Sequence, residues 1–190
     1  IDINAMLNYN HKFIDKLDVS ATLGLNGNER RYSYFYAEVT NLTIPTFFNL
    51  TNSSEKPTVD QYKQLRRLMG AYGQIDLGWD DWAYLTLTAR NDWSSTLPKG
   101  NRSFFYPSVG LSAVLNSMMK MPKWVNLLKV RASWAQVGND TQPYKTSPYD
   151  TTSDFSGSLV KPGTLYNADF KPEMSTNWEG GLDFKAFGSR

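Results

Sequence analysis

Few residues in this 190-residue sequence have the type and spacing for chemistry. Asp80 and Asp81 stand side by side in WDDW, and adjacent carboxylates invite a reading as general acid and base. Carboxylates that share such work face each other across a cleft. Two neighbours flanked by tryptophans suit a tight turn instead, where aspartate bonds its own backbone. His11 is the single histidine, and there is no cysteine. This excludes thiolate chemistry, disulfides and cysteine-held zinc, and leaves too few histidines for a triad or a histidine metal site. Lys99 in LPKG lacks the spacing of a phosphate-binding loop. The sequence offers no catalytic residue, no metal-ligand set and no cofactor motif, and no enzyme is expected.

Recognition chemistry is better represented. In RRYSYFYAEV, Arg30 and Arg31 precede Tyr32, Tyr34, Phe35 and Tyr36. Interleaved arginines and aromatics can stack sugar rings or bases. The balance of 20 Lys+Arg against 18 Asp+Glu gives no field that favours nucleic acid. The competing reading is the extension of a strand, with Tyr32, Tyr34 and Tyr36 on one face. Asn41, Asn49 and Asn52 match glycosylation sequons, as Asn- and Thr-rich loops do by composition.

The elements that must position these residues alternate with period two, the signature of half-buried strands. Leu17, Val19, Ala21, Leu23 and Leu25 oppose Asp18, Ser20, Thr22 and Gly24. Ala71, Gly73, Ile75, Leu77 and Trp79 oppose Tyr72, Gln74, Asp76 and Gly78. The same pattern runs through AYLTLTARND, PSVGLSAVLN, LLKVRASWAQ, NWEGGLDFKAF and, at the start, INAMLNYNH. The expected fold is all-β, an antiparallel up-and-down meander of about seven strands; the loop lengths and the family resemblance described below make it part of a large transmembrane β-barrel. Mean hydropathy is −0.48 and no apolar run is long enough for a membrane helix. Barrel strands escape that test, because only alternate residues face lipid.

Alternation alone does not separate a barrel, apolar face to lipid, from a soluble sandwich, apolar face to core. Loop rhythm does. FIDK and WDDW are short connections, NSMMKMPKWVN is somewhat longer with a possible helical turn, and DWSSTLPKGN is of medium length. The regions about 26–65 and about 139–176 read as long loops, and short turns at one end against long loops at the other is the barrel pattern. VDQYKQLRRLMG, inside the first long region, has helix-like spacing at Tyr62, Leu65 and Leu68 and otherwise reads as the lead-in to a strand. Trp79, Trp82, Tyr84 and Trp124 near the turns suit an interfacial aromatic girdle. On the polar faces, Tyr72, Gln74, Asp76, Arg90, Asp92 and Arg131 are placed to line a lumen and touch substrate. For Arg90 and Asp92 the plainer role is a charge pair that fixes register.

Three stretches, RNDWSSTLPKGNRSFFYPSVGLSAVLN, WVNLLKVRASWAQVGND and FKPEMSTNWEGGLDFKAFGSR, stand in order along the chain. In these the sequence resembles the SusC/RagA family of TonB-linked outer-membrane proteins; the segment from Gly27 to Leu68 carries nothing diagnostic. The resemblance implies import of large nutrients, glycans or peptides, across a bacterial outer membrane. It further implies an N-terminal plug, coupling to TonB and a SusD-like surface lipoprotein as lid, none of them within these residues. Residues 1–190 are thus expected to be a partial barrel domain, a piece of a longer chain whose plug and remaining strands lie elsewhere. Two alternatives compete: a soluble carbohydrate-binding β-sandwich, and a structural barrel or adhesin wall without transport.

Overall fold

The alternation becomes one sheet. In the computed structural model, which describes residues 1–146, 151–152, 158–160, 163, 167 and 169–189, seven long strands pair in chain order. They are β1 (Asp2–Ile14), β2 (Leu17–Glu38), β3 (Thr58–Trp79), β4 (Ala83–Ser94), β5 (Ser103–Val114), β6 (Val125–Asn139) and β9 (Glu173–Ala186). Between β6 and β9, two-residue strands β7 (Thr151–Thr152) and β8 (Leu159–Val160) pair with each other. Every contact within the large sheet is antiparallel, and β1 and β9 are its two edges.

Register sorts the side chains by face. Leu17 lies opposite Trp79, then Ala83, Ala113, Val130 and Leu182 in successive strands. Two residues further along, Val19, Leu77, Leu85, Leu111 and Ala132 make the next apolar row. Among the described residues no second layer covers these rows: Leu23, Leu111, Leu182 and Trp178 are 62%, 56%, 64% and 79% exposed. A sandwich would have buried them against a facing sheet. The sandwich alternative is therefore overturned, since an apolar face left bare is what lipid contact requires.

The band has the right height. On β4 the apolar face runs from Ala83 to Trp93, roughly 33 Å along the strand at ~3.3 Å per residue. At a tilt of about 40° this spans about 25 Å, the apolar belt of a membrane barrel. Trp93 and Phe105 mark its upper edge; Trp79 marks the lower, where Trp124 stacks on Phe187 with centroids 5.5 Å apart. Tyr84 does not join this outer girdle. It lies on the other face and donates to the Asp81 carbonyl at 3.1 Å.

The connections alternate as the loop rhythm predicts, with one correction. β2 and β3 are paired out to Glu38 and Thr58, so the first long loop shrinks from about 26–65 to 39–57. VDQYKQLRRLMG is strand throughout. A helical turn does occupy the β5–β6 connection, as α1 (Leu115–Met118), where Asn116 donates to the Val125 carbonyl at 3.2 Å. The second long region opens after Asn139 and closes at Glu173, and part of it lies outside the described residues. Within 39–57, Asn52 is buried and ties the loop to itself, accepting from Ile44 N at 2.9 Å and donating to the Ile44 and Phe47 carbonyls.

The WDDW turn is closed by Trp82 N donating to the Trp79 carbonyl at 3.1 Å, and its central residues Asp80 and Asp81 have φ of 49° and 57°. Two left-handed central residues mark a mirror-image hairpin turn, which favours Asn or Asp followed by Gly. Asp81→Gly is expected to raise the urea midpoint of the refolded full-length barrel. Asp81→Val is expected to lower its stability by about 1–2 kcal/mol, the left-handed cost for a branched side chain. Equal midpoints for the two variants would contradict this geometry.

Candidate functional site

The polar face is a network built over glycines. Tyr72 on β3 lies opposite Gly24 on β2, and a Cβ at Gly24 would stand 2.2 Å from the tyrosine Cζ. Asp92 lies over Gly70, where a Cβ would come within 2.3 Å of Oδ1, and Arg131 lies over Gly181, with 2.2 Å to Nε. Each large polar side chain lies down across a residue with no side chain. The face is thereby flattened, and the large groups touch one another along the sheet.

The centre of this network is Asp92, 4% exposed. It accepts from Arg90 Nε at 2.9 Å and from the Tyr106 hydroxyl on the next strand, while Arg90 sits over the Tyr72 ring at 5.7 Å. The charge pair read from RNDW thus forms, and it reaches over three strands. Lower down, Asp76 accepts from Gln74 Nε2 at 2.7 Å and Thr86 Oγ1 at 2.6 Å. Tyr72, Gln74 and Arg90 meet with Tyr106 and Ser108 around a recess of about 320 Å³. Arg131 stands apart in a second recess with Ser133 and Glu179, exposed and with no ion pair among the described residues.

Above the apolar band, β2 and β3 continue as a ribbon from Glu29–Arg67 to Glu38–Thr58, beyond the last β3–β4 pair at Leu68–Ser94. Tyr32 and Tyr34 share its polar face with Tyr62 as a cluster, Tyr34 and Tyr62 stacking at 5.8 Å. Tyr34 donates to Asp60 at 2.6 Å; Tyr36, on the same face, donates to Glu38. The strand reading of RRYSYFYAEV holds.

Sequence reasoning missed the residue that ties the ribbon down. Asp140, in the loop after β6, has a side chain only 4% exposed. It accepts from Arg66 Nε at 3.1 Å, from Thr96 Oγ1 at 2.9 Å, and from Arg66 Nη2 and Ser94 Oγ. Burial alone would raise this carboxyl, but hydrogen bonds from Ser94, Arg66 and Thr96 outweigh it and hold the group below the usual aspartate value. Ser94 and Thr96 belong to RNDWSSTL and Asp140 to WAQVGND. Their occurrence as two separate motifs was the available signal; their meeting depends on tertiary folding.

This geometry is that of a membrane barrel wall with a polar interior and a structured rim. Residues 2–190 match the family model for the TonB dependent receptor-like β-barrel, and the chain belongs to that family of outer-membrane receptors, which are not enzymes. Among curated relatives, TonB-dependent receptor P39 of Formosa agariphila is 28% identical over 93% of this chain and 17% of its own. TonB-dependent receptor P26 of the same organism is 29% identical over 64% of this chain and 12% of its own. The chain therefore spans less than a fifth of these relatives' length. The solved structure of the RagAB peptide transporter covers the whole chain at TM-score 0.91 and 20% identity, with 22% of that chain matched. The RagAB peptide importer in its "closed-closed" and "open-open" states matches at 0.90 and 0.89, also at 20% identity. These likenesses confirm the fold.

Two outcomes follow from the contacts. A strand glycine replaced by alanine ordinarily gains stability. Gly24→Ala is instead expected to lose about 1–3 kcal/mol, because the Tyr72 ring must move. Gly24→Ala with Tyr72→Ala should recover much of that loss in a double-mutant cycle of urea unfolding on the full-length barrel. For Asp140 the folded pKa lies below the unfolded one, so its contribution is full above the ordinary value of 3.8 and disappears as pH falls through the folded value. Pepsin cleavage near residues 140–146 should rise steeply over that acid range, and Asp140→Asn should flatten the pH dependence. A profile unchanged by that substitution would remove Asp140 as the tether.

Proposed function

We propose that this chain is the barrel-wall portion of a TonB-dependent outer-membrane transporter of the SusC/RagA kind. It imports large nutrients, glycans or peptides, together with a SusD-like surface lipoprotein that closes over the rim. TonB acts through parts of the protein outside these residues. The observation that carries the reading is a single sheet with a bare apolar face and a polar face linked by side-chain bonds, in a chain of this receptor family. A structural wall or adhesin would have no need of a charged group such as Arg131 left exposed on the polar face, without an ion pair among the described residues.

On this reading the polar face lines the lumen, and its residues divide by accessibility. Asp92 is buried and positions Arg90 and Tyr106. Gln74 and Arg131 are exposed, and Tyr72, Asp76 and Arg90 are half-buried; all five border the lumen. Arg131, free of any ion pair among the described residues, is the one whose charge is open to a passing substrate. Asp76 and Arg90 first of all hold neighbouring groups in place. Tyr32, Tyr34 and Tyr36 offer ring faces above the membrane, where sugar or peptide backbones stack.

The test uses the intact transporter with its lipoprotein. Titration of candidate glycan and peptide oligomers, followed by uptake in cells, should identify a class whose entry requires TonB. Tyr32→Ala with Tyr34→Ala should then lower uptake about tenfold or more, given ~1–3 kcal/mol per stacked ring. Heat-modifiable migration on gels should stay unchanged, since those rings lie above the apolar band. Uptake independent of TonB, or of every oligomer tried, would overturn the transporter reading.

A further inference from the structure

The rim cleft between the ribbon and the loop after β6 carries an unbalanced charge. Arg30 and Arg66 stand directly opposite each other on the polar face of β2 and β3. Like charges in that position repel and weaken a sheet unless each finds a counter-charge. Arg66 has one in Asp140, whose Oδ2 takes Arg66, Ser94 and Thr96 and whose Oδ1 takes Arg66 alone; none of these bonds comes from Arg30. Glu29, next to Arg30 in sequence, points to the opposite face and is held by Arg31 and Arg67, each at 2.6 Å. Among the described residues Arg30 has neither an ion pair nor a hydrogen bond.

Arg30 lines a cleft of about 420 Å³ with Tyr32, Gln64, the Arg66–Asp140 pair and the loop from Asn139 to Pro143. Three side-chain amides (Gln64, Asn139 and Gln142) and the Thr141 hydroxyl supply neutral donors, and the Tyr32 ring supplies an apolar wall. A guanidinium fork accepts a planar carboxylate through two parallel bonds. With Arg66 already paired to Asp140, the one free cation among the described residues of the cleft matches a single negative charge better than a doubly charged phosphate. We propose that this cleft binds a carboxylate group of the imported substrate, with Arg30 as the receptor. The proposal rests on the transporter reading and narrows its substrate to an acidic oligomer: a uronic-acid oligosaccharide or a peptide with a free C-terminus.

The test is titration of the full-length transporter with its lipoprotein against two matched pairs of probes. One pair is a hexameric oligouronide and its neutral methyl ester; the other is a hexapeptide with a free C-terminus and its amide. One acidic member should bind about tenfold or more tightly than its neutral partner, equivalent to ~1.4 kcal/mol or more. Arg30→Gln should erase that difference and leave the neutral member's Kd within about twofold. Arg30→Lys should restore only part, because a point charge lacks the fork. The pair that responds identifies the source of the carboxylate. The proposal is overturned if both pairs bind without charge preference, if neither acidic probe binds, or if Arg30→Gln leaves the acidic Kd unchanged. Uptake measured in parallel separates the two claims. Arg30-dependent binding without TonB-dependent uptake sinks the importer and keeps the site; uptake indifferent to Arg30 sinks the site alone.

Discussion

The ladder of backbone hydrogen bonds is the constraint on which the rest of the structure depends. Inside hydrocarbon an unpaired N–H or C=O costs several kcal/mol, so a wall must pair every group within the sheet. The β2–β3 ladder runs from Leu17–Trp79 to Glu38–Thr58 without a bulge. A slip of one residue would keep the bonds and reverse every side chain, turning Leu17 and Val19 inward and Asp18 and Thr22 into lipid. In a soluble sheet, core packing on a second layer resists such a slip. Here no second layer exists among the described residues, so register has to be fixed from within the sheet. The glycines under Tyr72, Asp92 and Arg131 do this, because each large side chain has one neighbouring position that admits it.

Where the strands leave the apolar band the constraint relaxes, since water can satisfy backbone groups. A two-stranded ribbon is marginal by itself, and here it has lateral support. The Leu65 N–H donates to the Tyr144 hydroxyl at 3.1 Å, and the Arg67 N–H to Ser95 Oγ at 2.9 Å. Between them Asp140 clasps Arg66. The most buried residues, Leu97, Ser94, Thr96, Asp92 and Phe104, gather at this height where the β4–β5 connection folds back. Among the described residues the dense packing thus gathers at the rim, where loops must hold a shape without help from lipid.

The sequence was legible where one physical demand acted on alternate residues. Leu17 to Leu25 and Ala83 to Ala89 meet lipid on one side and a polar surface on the other, and the period of two follows directly. Above the band both faces are wet, the demand vanishes, and Gln64, Arg66 and Arg67 read as loop or helix although they are strand. That is why the long loop was drawn too wide. The seven strands, the turn at Asp80 and Asp81 and the Arg90–Asp92 pair came from local pattern. The Asp140 clasp did not, because Arg66 lies 74 residues away and only register brings them together. Tyr106 was hidden for the same reason: its bond to Asp92 exists only once β4 and β5 are aligned.

Charge on the polar face shows a division of labour that sequence alone could not assign. A charge already matched within the wall has little to gain from a passing ligand, because its bonds would have to be broken first. Asp92, Asp76 and Asp140 are all matched in this way, and each holds neighbouring strands or loops in place. Arg131 halfway up the sheet and Arg30 at the rim are unmatched among the described residues, and both face the polar side. Among the described residues these two guanidiniums stay free, as do the carboxylates of Asp18, Glu179 and Asp183 on the same face, so its free charges are of both signs and are placed at particular heights. A surface so divided can keep its own geometry fixed while the free groups stay open to solvent. The matched groups hold the sheet, and a change at a free one such as Arg131 need not disturb them.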